Sequence, residues 1–123
     1  MSKAIVIPPK PTPIASDDLA PLVEARDSVV RLTIGSKFDQ KPITDVAVLK
    51  PHLDNASGSY DFVNLQELIL WRVSGLEEIP PISGLTTLDI RGAHDLKRIS
   101  VPAAIQRLIV EDCPNLDTIE IAS

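Results

Sequence analysis

The residue types that most often do chemistry are sparse and scattered in this sequence. It has two histidines, His52 and His94, and one cysteine, Cys113. His52 falls in a turn-rich stretch and His94 stands beside Asp95, so neither is spaced to act as a base for the thiol or to share a metal with it. No paired-carboxylate, nucleophile–base or glycine-rich phosphate-binding pattern accompanies them. We therefore expect no enzyme activity, no metal site and no cofactor.

Composition limits the partner and the compartment. The chain has 123 residues, room for one domain, and a net charge of -5, which argues against nucleic acid and anionic membrane as partners. A single cysteine forms no disulfide within the chain, and the opening "MSKAIVIPPK" is too short in apolar residues for a signal peptide. No run approaches the length of a membrane span. These features predict a cytoplasmic protein.

Apolar residues recur every 20 positions in the second half of the chain. Six columns repeat three times each, and every member is apolar: Leu65, Leu85 and Ile105; Leu68, Leu88 and Leu108; Leu70, Ile90 and Val110; Val73, Ala93 and Cys113; Leu76, Leu96 and Leu116; Ile79, Ile99 and Ile119. Because aromatic residues make up only 3% of the sequence, the core that these columns build must be aliphatic. The pattern indicates an internal repeat.

Each unit, L-x-x-L-x-L-x-x-(V/A/C)-x-x-L-x-x-I, resembles the leucine-rich repeat, in the short form of some bacterial proteins and the irregular form of plant immune receptors. The resemblance covers about half the chain and implies an α/β-type solenoid with a parallel, concave β-sheet. Its convex returns are expected to be extended or 3₁₀, since so short a unit leaves no room for a full helix. The buried asparagine of the family is missing from the Val73 column. The turn amides therefore need other partners, for which Ser74, Asp95 and Asn115 are candidates.

The outward positions of the predicted strands form the candidate binding surface, because the concave face is the usual binding surface of the family. In x-L-x-L-x the leucines point inward and the alternating residues point outward. The nine predicted partner-binding residues are Glu67, Thr87 and Arg107; Ile69, Asp89 and Ile109; Trp71, Arg91 and Glu111. We call this surface the strand face.

Trp71 is the only tryptophan, and it shares its column with Arg91. Two interpretations remain open. In one, the indole and the guanidinium form a cation–π stack that continues to Glu111 and closes the sheet. In the other, Trp71 is an exposed anchor for a partner, since Trp and Arg dominate interface hot spots, with Ile69 and Ile109 adding apolar area beside it.

On the opposite, convex side, two further columns consist mostly of charged residues. In neither column do two residues of the same charge stand next to each other. These columns are Glu77, Lys97 and Asp117, and Glu78, Arg98 and Thr118. Like charges on adjacent strands, about 4.8 Å apart, would repel. We expect these columns to support solubility and register rather than binding.

The N-terminal half is less regular. Residues 1–15 contain the proline-rich stretch "IPPKPTPI", which predicts an extended arm. A short helix is expected at about Asp17 to Arg26, with Ser16 as its N-cap, where it would cap the core. Two partial copies of the strand motif then predict degenerate repeats within 16–64, ahead of three regular repeats in 65–123: Val29-x-x-Leu32-x-Ile34 and Ile43-x-x-Val46-x-Val48.

Two functions follow as hypotheses. The first is a non-catalytic module that binds a protein partner through the strand face. The second is a structural subunit of a larger complex, anchored by the proline-rich arm and by the third repeat, after which the sequence shows no polar cap. The strand "RLIVED" would then be an edge that a second copy or another subunit must cover.

Overall fold

The computed structural model describes residues 3–7, 28–35, 43–47, 65–79, 82 and 84–122. Ten strands lie within these ranges: β1 Lys3–Ile7, β2 Val29–Gly35, β3 Thr44–Asp45, β4 Glu67–Trp71, β5 Val73–Ser74, β6 Glu78–Ile79, β7 Thr87–Arg91, β8 Arg98–Pro102, β9 Arg107–Glu111 and β10 Thr118–Ala122. The described part of the chain contains no α-helix. The predicted helix at about Asp17 to Arg26 lies outside the described residues.

The main sheet has five strands in the order β1-β2-β4-β7-β9, and every neighbouring pair is parallel. From β4 to β9 each strand pairs with the equivalent strand of the next repeat, so that Leu68 pairs with Leu88 and Leu88 pairs with Leu108. Parallel neighbours need a long connection between them. The second strands of each unit supply that connection here. The predicted parallel sheet and its repeating register are confirmed.

The returning segments form a second, three-stranded parallel sheet in the order β10-β8-β6. Of the two return conformations that the sequence allowed, the extended one is found at β6, β8 and β10. The outward charged columns align as the sequence predicts, because Arg98 pairs with both Glu78 and Thr118. The amide of Lys97 likewise donates to the Glu77 carbonyl across the same step.

An aliphatic core runs through the units, and the inward columns of the first two regular repeats are fully buried. Leu68, Leu88 and Ile99, for example, have no exposed surface. Burying a leucine or isoleucine side chain contributes about 1.5–3 kcal/mol, so these columns are the main source of stability. The columns become progressively exposed in the third repeat, where Leu108 is 36% exposed.

The N-terminal half joins the sheet in a way that the sequence only partly predicts. Strand β2 carries the motif as expected, with Leu32 opposite Leu68 and Ile34 opposite Leu70. The five residues of β1 lie in the predicted arm, yet they pair with β2 at the sheet edge and bury Ile7. Residues 8–15 of the arm are outside the described ranges.

The prediction of a separate repeat strand at Ile43-x-x-Val46-x-Val48 is wrong for residues 43–47, and Val48 lies outside the described residues. Strand β2 pairs directly with β4, and the segment from Ile43 pairs instead with β5 in a two-stranded sheet. The buried residue of this segment is Thr44, opposite Val73, while Ile43 is exposed. The segment therefore belongs to the turn of the unit that begins at β2, since it continues the Val73 column rather than the strand columns.

Side chains of one repeat bind the turn backbone of the previous repeat. The Gly75 amide donates to Asp95 Oδ2 at 2.9 Å, as predicted for the turn amides. Asn115 acts differently from the expectation, because its Nδ2 donates to the carbonyl of His94 rather than accepting from an amide. These bonds satisfy turn backbone groups of one repeat with side chains of the next.

The residue that follows each of the strands β4, β7 and β9 adopts a left-handed conformation. Arg72, Gly92 and Asp112 occupy the equivalent position of successive repeats and have φ values of 54°, 73° and 53°. Gly35 has a φ of 87° and lies opposite Trp71. A Cβ on Gly35 would overlap the Trp71 carbonyl oxygen. Glycine is needed at that position for both conformation and space.

We predict that Gly35→Ala lowers the free energy of unfolding by about 2–4 kcal/mol, because it combines a left-handed alanine with a backbone clash. Urea unfolding followed by circular dichroism measures the change. Gly84→Ala is the matched control, since Gly84 is exposed and a Cβ there would lie 3.3 Å from the nearest atom, the Leu65 carbonyl oxygen. The control should change stability by less than about 1 kcal/mol. Equal effects of the two substitutions would contradict the described turn.

Candidate functional site

The nine residues of the strand face lie on β4, β7 and β9. The register sets each of the three outward columns of the sequence in line across these strands, and we call each line a row. The rows are Glu67, Thr87 and Arg107; Ile69, Asp89 and Ile109; Trp71, Arg91 and Glu111. Their positions alternate with the inward leucines along each strand, and this alternation separates the face from the core.

Strands β1 and β2 extend the same face beyond the predicted residues. Arg31 lies opposite Glu67, and Thr33 lies opposite Ile69. Val6 lies opposite Thr33 and is 65% exposed. The Val29-x-x-Leu32-x-Ile34 spacing already contained the signal for the two β2 residues, but no repeat spacing points to Val6.

An ordered cluster of aromatic and charged groups lies at one end of the rows. The Arg91 guanidinium carbon is 5.8 Å from the centroid of the Trp71 ring, within cation–π range. Asp89 fixes the arginine, with Oδ1 at 2.9 Å from Nε and Oδ2 at 3.4 Å from Nη2. Glu111 Oε2 lies 3.7 Å from Nη1 on the other side. We call these four residues the Arg91 cluster.

The Arg91 cluster matches the first interpretation of Trp71, the stack that continues to Glu111. Trp71 is half-buried and its indole Nε1 is buried, so the side chain is not a fully exposed anchor. Asp89 is only 8% exposed although it points outward, because its neighbours on the face cover it. The face therefore presents a held guanidinium and part of an indole.

Charge on the face is balanced by close pairs. The pKa of Arg91 is raised, mainly by its hydrogen bond to Asp89 and further by the nearby charges of Asp89 and Glu111. Arg31 Nε lies 2.6 Å from Glu67 Oε2, and this hydrogen bond raises the pKa of Arg31. Both arginines are cations at any physiological pH. Such pairs orient side chains more than they stabilise the fold, because they lie near solvent.

The middle row combines apolar side chains with the polar Thr33 and Asp89. Ile69 and Ile109 are half-buried on either side of Asp89, and Val6 is exposed at the far end of the row. A row of this kind offers a contact surface with apolar and charged parts. It places no nucleophile next to a base.

Neither of the described reactive residues, His94 and Cys113, belongs to the strand face. His94 is exposed in a turn, and His52 is outside the described residues. Within the described ranges no group of three or more His, Cys, Asp or Glu side chains could hold a metal ion. The Cys113 thiol donates to the Glu111 carbonyl at 3.3 Å, and burial raises the pKa of this thiol. A raised pKa disfavours the nucleophilic thiolate.

Comparison with protein-family models, curated proteins and solved structures finds no match to this chain. In the part of the chain that the structure describes, no helix has the length and apolar character to cross a membrane.

We predict that Arg91→Ala increases quenching of Trp71 fluorescence by acrylamide, because the guanidinium covers one side of the ring. Trp71 is the only tryptophan, so the signal reports this site alone. Asp89→Asn should act in the same direction, since it removes the charged acceptor that holds Arg91. Arg107→Ala is the control, because Arg107 lies opposite Thr87 in another row. If Arg91→Ala and Asp89→Asn leave the Stern–Volmer constant as unchanged as the control does, no stack forms.

We also predict that Cys113 reacts with iodoacetamide more slowly in the folded protein than in guanidinium chloride at a pH of about 8.5. Because burial raises the pKa of the folded thiol, the midpoint of the rate against pH should lie higher in the folded protein. The associated contribution to stability is present below the unfolded pKa and is lost as the pH rises through the folded pKa. Mass spectrometry of the alkylated chain measures both rates. A lower midpoint in the folded protein would contradict the assignment.

Proposed function

We propose that this chain is a leucine-rich repeat protein that binds a protein partner through its strand face and catalyses no reaction. Three features support the repeat assignment. Each main strand pairs with the strand 20 residues further along the chain, for the outward and the inward residues alike. Each regular repeat contributes one strand to the main sheet and one to the returning sheet. One aliphatic core lies between the two sheets. The single cysteine and the sequence composition support a cytoplasmic setting.

The observation that carries the binding proposal is that the Arg91 cluster lies beside the apolar side chains of the middle row. Trp and Arg contribute most to interface energy, and a partner can contact both here next to Ile69 and Ile109. Because Asp89 already holds Arg91, little side-chain entropy is lost when a partner binds. A rigid, mixed surface of this kind is better suited to a folded or extended polypeptide than to a small metabolite, which needs a concave pocket.

The charge pattern supports a protein partner over nucleic acid. The strand face and Arg31 together carry three arginines and three carboxylates, and Arg31 and Arg91 each have a carboxylate at hydrogen-bond distance. Phosphate binding requires a surplus of positive charge that is free to replace counterions. This face has no such surplus.

A second role, as a structural subunit of an assembly, is supported by a different observation. Inward residues of the third repeat are exposed, among them Ile119 at 48% and Ile121 at 66%. Exposed apolar surface at the end of stacked repeats favours contact with another polypeptide. The proline-rich arm that was expected to contribute lies largely outside the described residues.

The binding proposal predicts that the immobilised chain captures a defined partner from an extract of the cells that produce it, and that Ile69→Glu and Trp71→Ala each reduce capture at least about tenfold. Quantitative mass spectrometry of the bound fraction measures the loss. Arg98→Glu on the returning sheet is the matched control and should leave capture unchanged, since Arg98 is exposed on the other side of the core.

Circular dichroism and thermal melting of each variant separate loss of binding from loss of fold. Ile69→Glu is the cleaner of the two variants, because Trp71 also packs against Arg91. Capture that survives both substitutions in folded protein would overturn the strand face as the binding surface. That result would favour the role as a structural subunit over partner binding at the strand face.

A further inference from the structure

Within the described residues, β9 is the outermost strand of the main sheet and lies next to exposed core residues. Among the described strands, none pairs with the outer side of β9 or of β10. Leu108 is 36% exposed whereas Leu88, one strand inward, is fully buried. Ile121 is 66% exposed whereas its neighbour Val101 is fully buried. Strand edges of this kind are templates for pairing with another chain.

The direction of the free backbone groups on β9 follows from its bonds to β7. The Arg107 amide donates to the Thr86 carbonyl at 3.0 Å, and the Glu111 carbonyl accepts from the Gly92 amide at 2.9 Å. In a parallel ladder, alternate residues turn both backbone groups toward the same neighbour. The residues that turn their N–H and C=O groups away from β7, toward the open edge, are therefore Leu108 and Val110.

We propose that a second copy of this chain covers the open edge, by antiparallel pairing of β9 with β9 about a two-fold axis at Ile109. The strand sequence "RLIVE" is self-complementary in this arrangement. Arg107 of each copy lies opposite Glu111 of the other, so both ends of the strand pair carry opposite charges. At the centre, Ile109 lies opposite Ile109.

The hydrogen-bond pattern agrees with this register. Leu108 lies opposite Val110 of the second copy, and these are the residues whose backbone groups point to the open edge. Each such pair exchanges two hydrogen bonds, so the two pairs make four. Arg107, Ile109 and Glu111 then occupy the non-hydrogen-bonded positions, where opposing side chains come closest. A shift of one residue would lose both the bonds and the charge match.

The charged groups around the axis support the same pairing. Glu111 also lies 3.7 Å from Arg91 of its own chain, so its carboxylate would be shared between two arginines. Arg107 lies opposite the neutral Thr87 and has no carboxylate facing it within its own row on β7. Strand β10 shows no such match, because Glu120 at its centre would face itself in an equivalent pairing. The self-complementary edge is therefore β9.

The dimer would join two five-stranded sheets into one and shield Leu108 and Val110 from water. Like most homodimer contacts it is isologous, since the same surface is used by both copies. The proposal does not rest on partner binding at the strand face. The two surfaces share side chains of β9, among them Glu111, but the dimer contact is set by the backbone groups of Leu108 and Val110 at the edge.

Sedimentation velocity over a range of concentrations tests the proposal on the full chain. We expect the chain of 13.3 kDa to sediment as a reversible dimer. Arg107→Glu and Glu111→Arg should each raise the dissociation constant at least about tenfold, since each places like charges opposite one another at both ends of the pair. An equimolar mixture of the two variants should form a heterodimer, because both end pairs are then of opposite charge.

The mixture is the decisive arm of the experiment. Glu111→Arg also removes the contact with Arg91, but that loss is present in the mixture as well, so recovery of association reports the pairing itself. Ile109→Lys should abolish the dimer by placing two cations at the axis. Ile69→Lys is its matched control, because Ile69 lies in the same row but two strands away from the edge, and it should leave the dimer intact.

Hydrogen exchange provides a second readout at the level of single residues. The amides of Leu108 and Val110 should exchange more slowly as the concentration of the wild-type chain rises, and they should lose this dependence in Ile109→Lys. A wild-type chain that remains monomeric, a charge-variant mixture that remains monomeric, or a dimer that survives Ile109→Lys would each overturn the proposal.

Discussion

The structure depends on one constraint, that a single parallel strand cannot bury its own inward face. Leu68 and Leu70 on β4 are shielded only because β2 and β7 carry matching residues on either side and a returning segment closes the core below them. Stacking at a constant register satisfies this need for each unit in the interior. Because neighbouring strands keep the same register, the outward residues also align in rows.

The same constraint explains where the molecule has exposed apolar surface. A unit with neighbours on both sides buries all its inward columns, whereas the third repeat has a described neighbour on one side only. Leu108 and Ile119 occupy the same columns as Leu88 and Ile99, yet they are exposed. Their exposure arises from position in the stack and not from residue type. Exposed apolar surface of this kind favours contact with further polypeptide.

The outward face and the strand edge have different chemical character. The face is ordered by short polar contacts around Arg91, with Asp89 holding the guanidinium above the indole. The edge is defined by backbone groups and by the order of charges along β9. The proposed binding on the face and the proposed association through the edge are compatible, because the two surfaces share only the side chains of the last strand.

The sequence by itself determined which residues point inward, which point outward and which share a row. A strict repeat period, combined with the alternation of side chains along a strand, is enough for that, and it placed all nine residues of the strand face. Only the tertiary structure decided how β1 and β2 pair with the main sheet and how Thr44 pairs with β5. Their distances along the sequence from β4 and β5 do not equal the repeat length. The tertiary structure also decided that Trp71 is half-buried with the Arg91 guanidinium over its ring. A repeat puts two side chains side by side, but whether one covers the other depends on the third group, Asp89, that holds the cation in place.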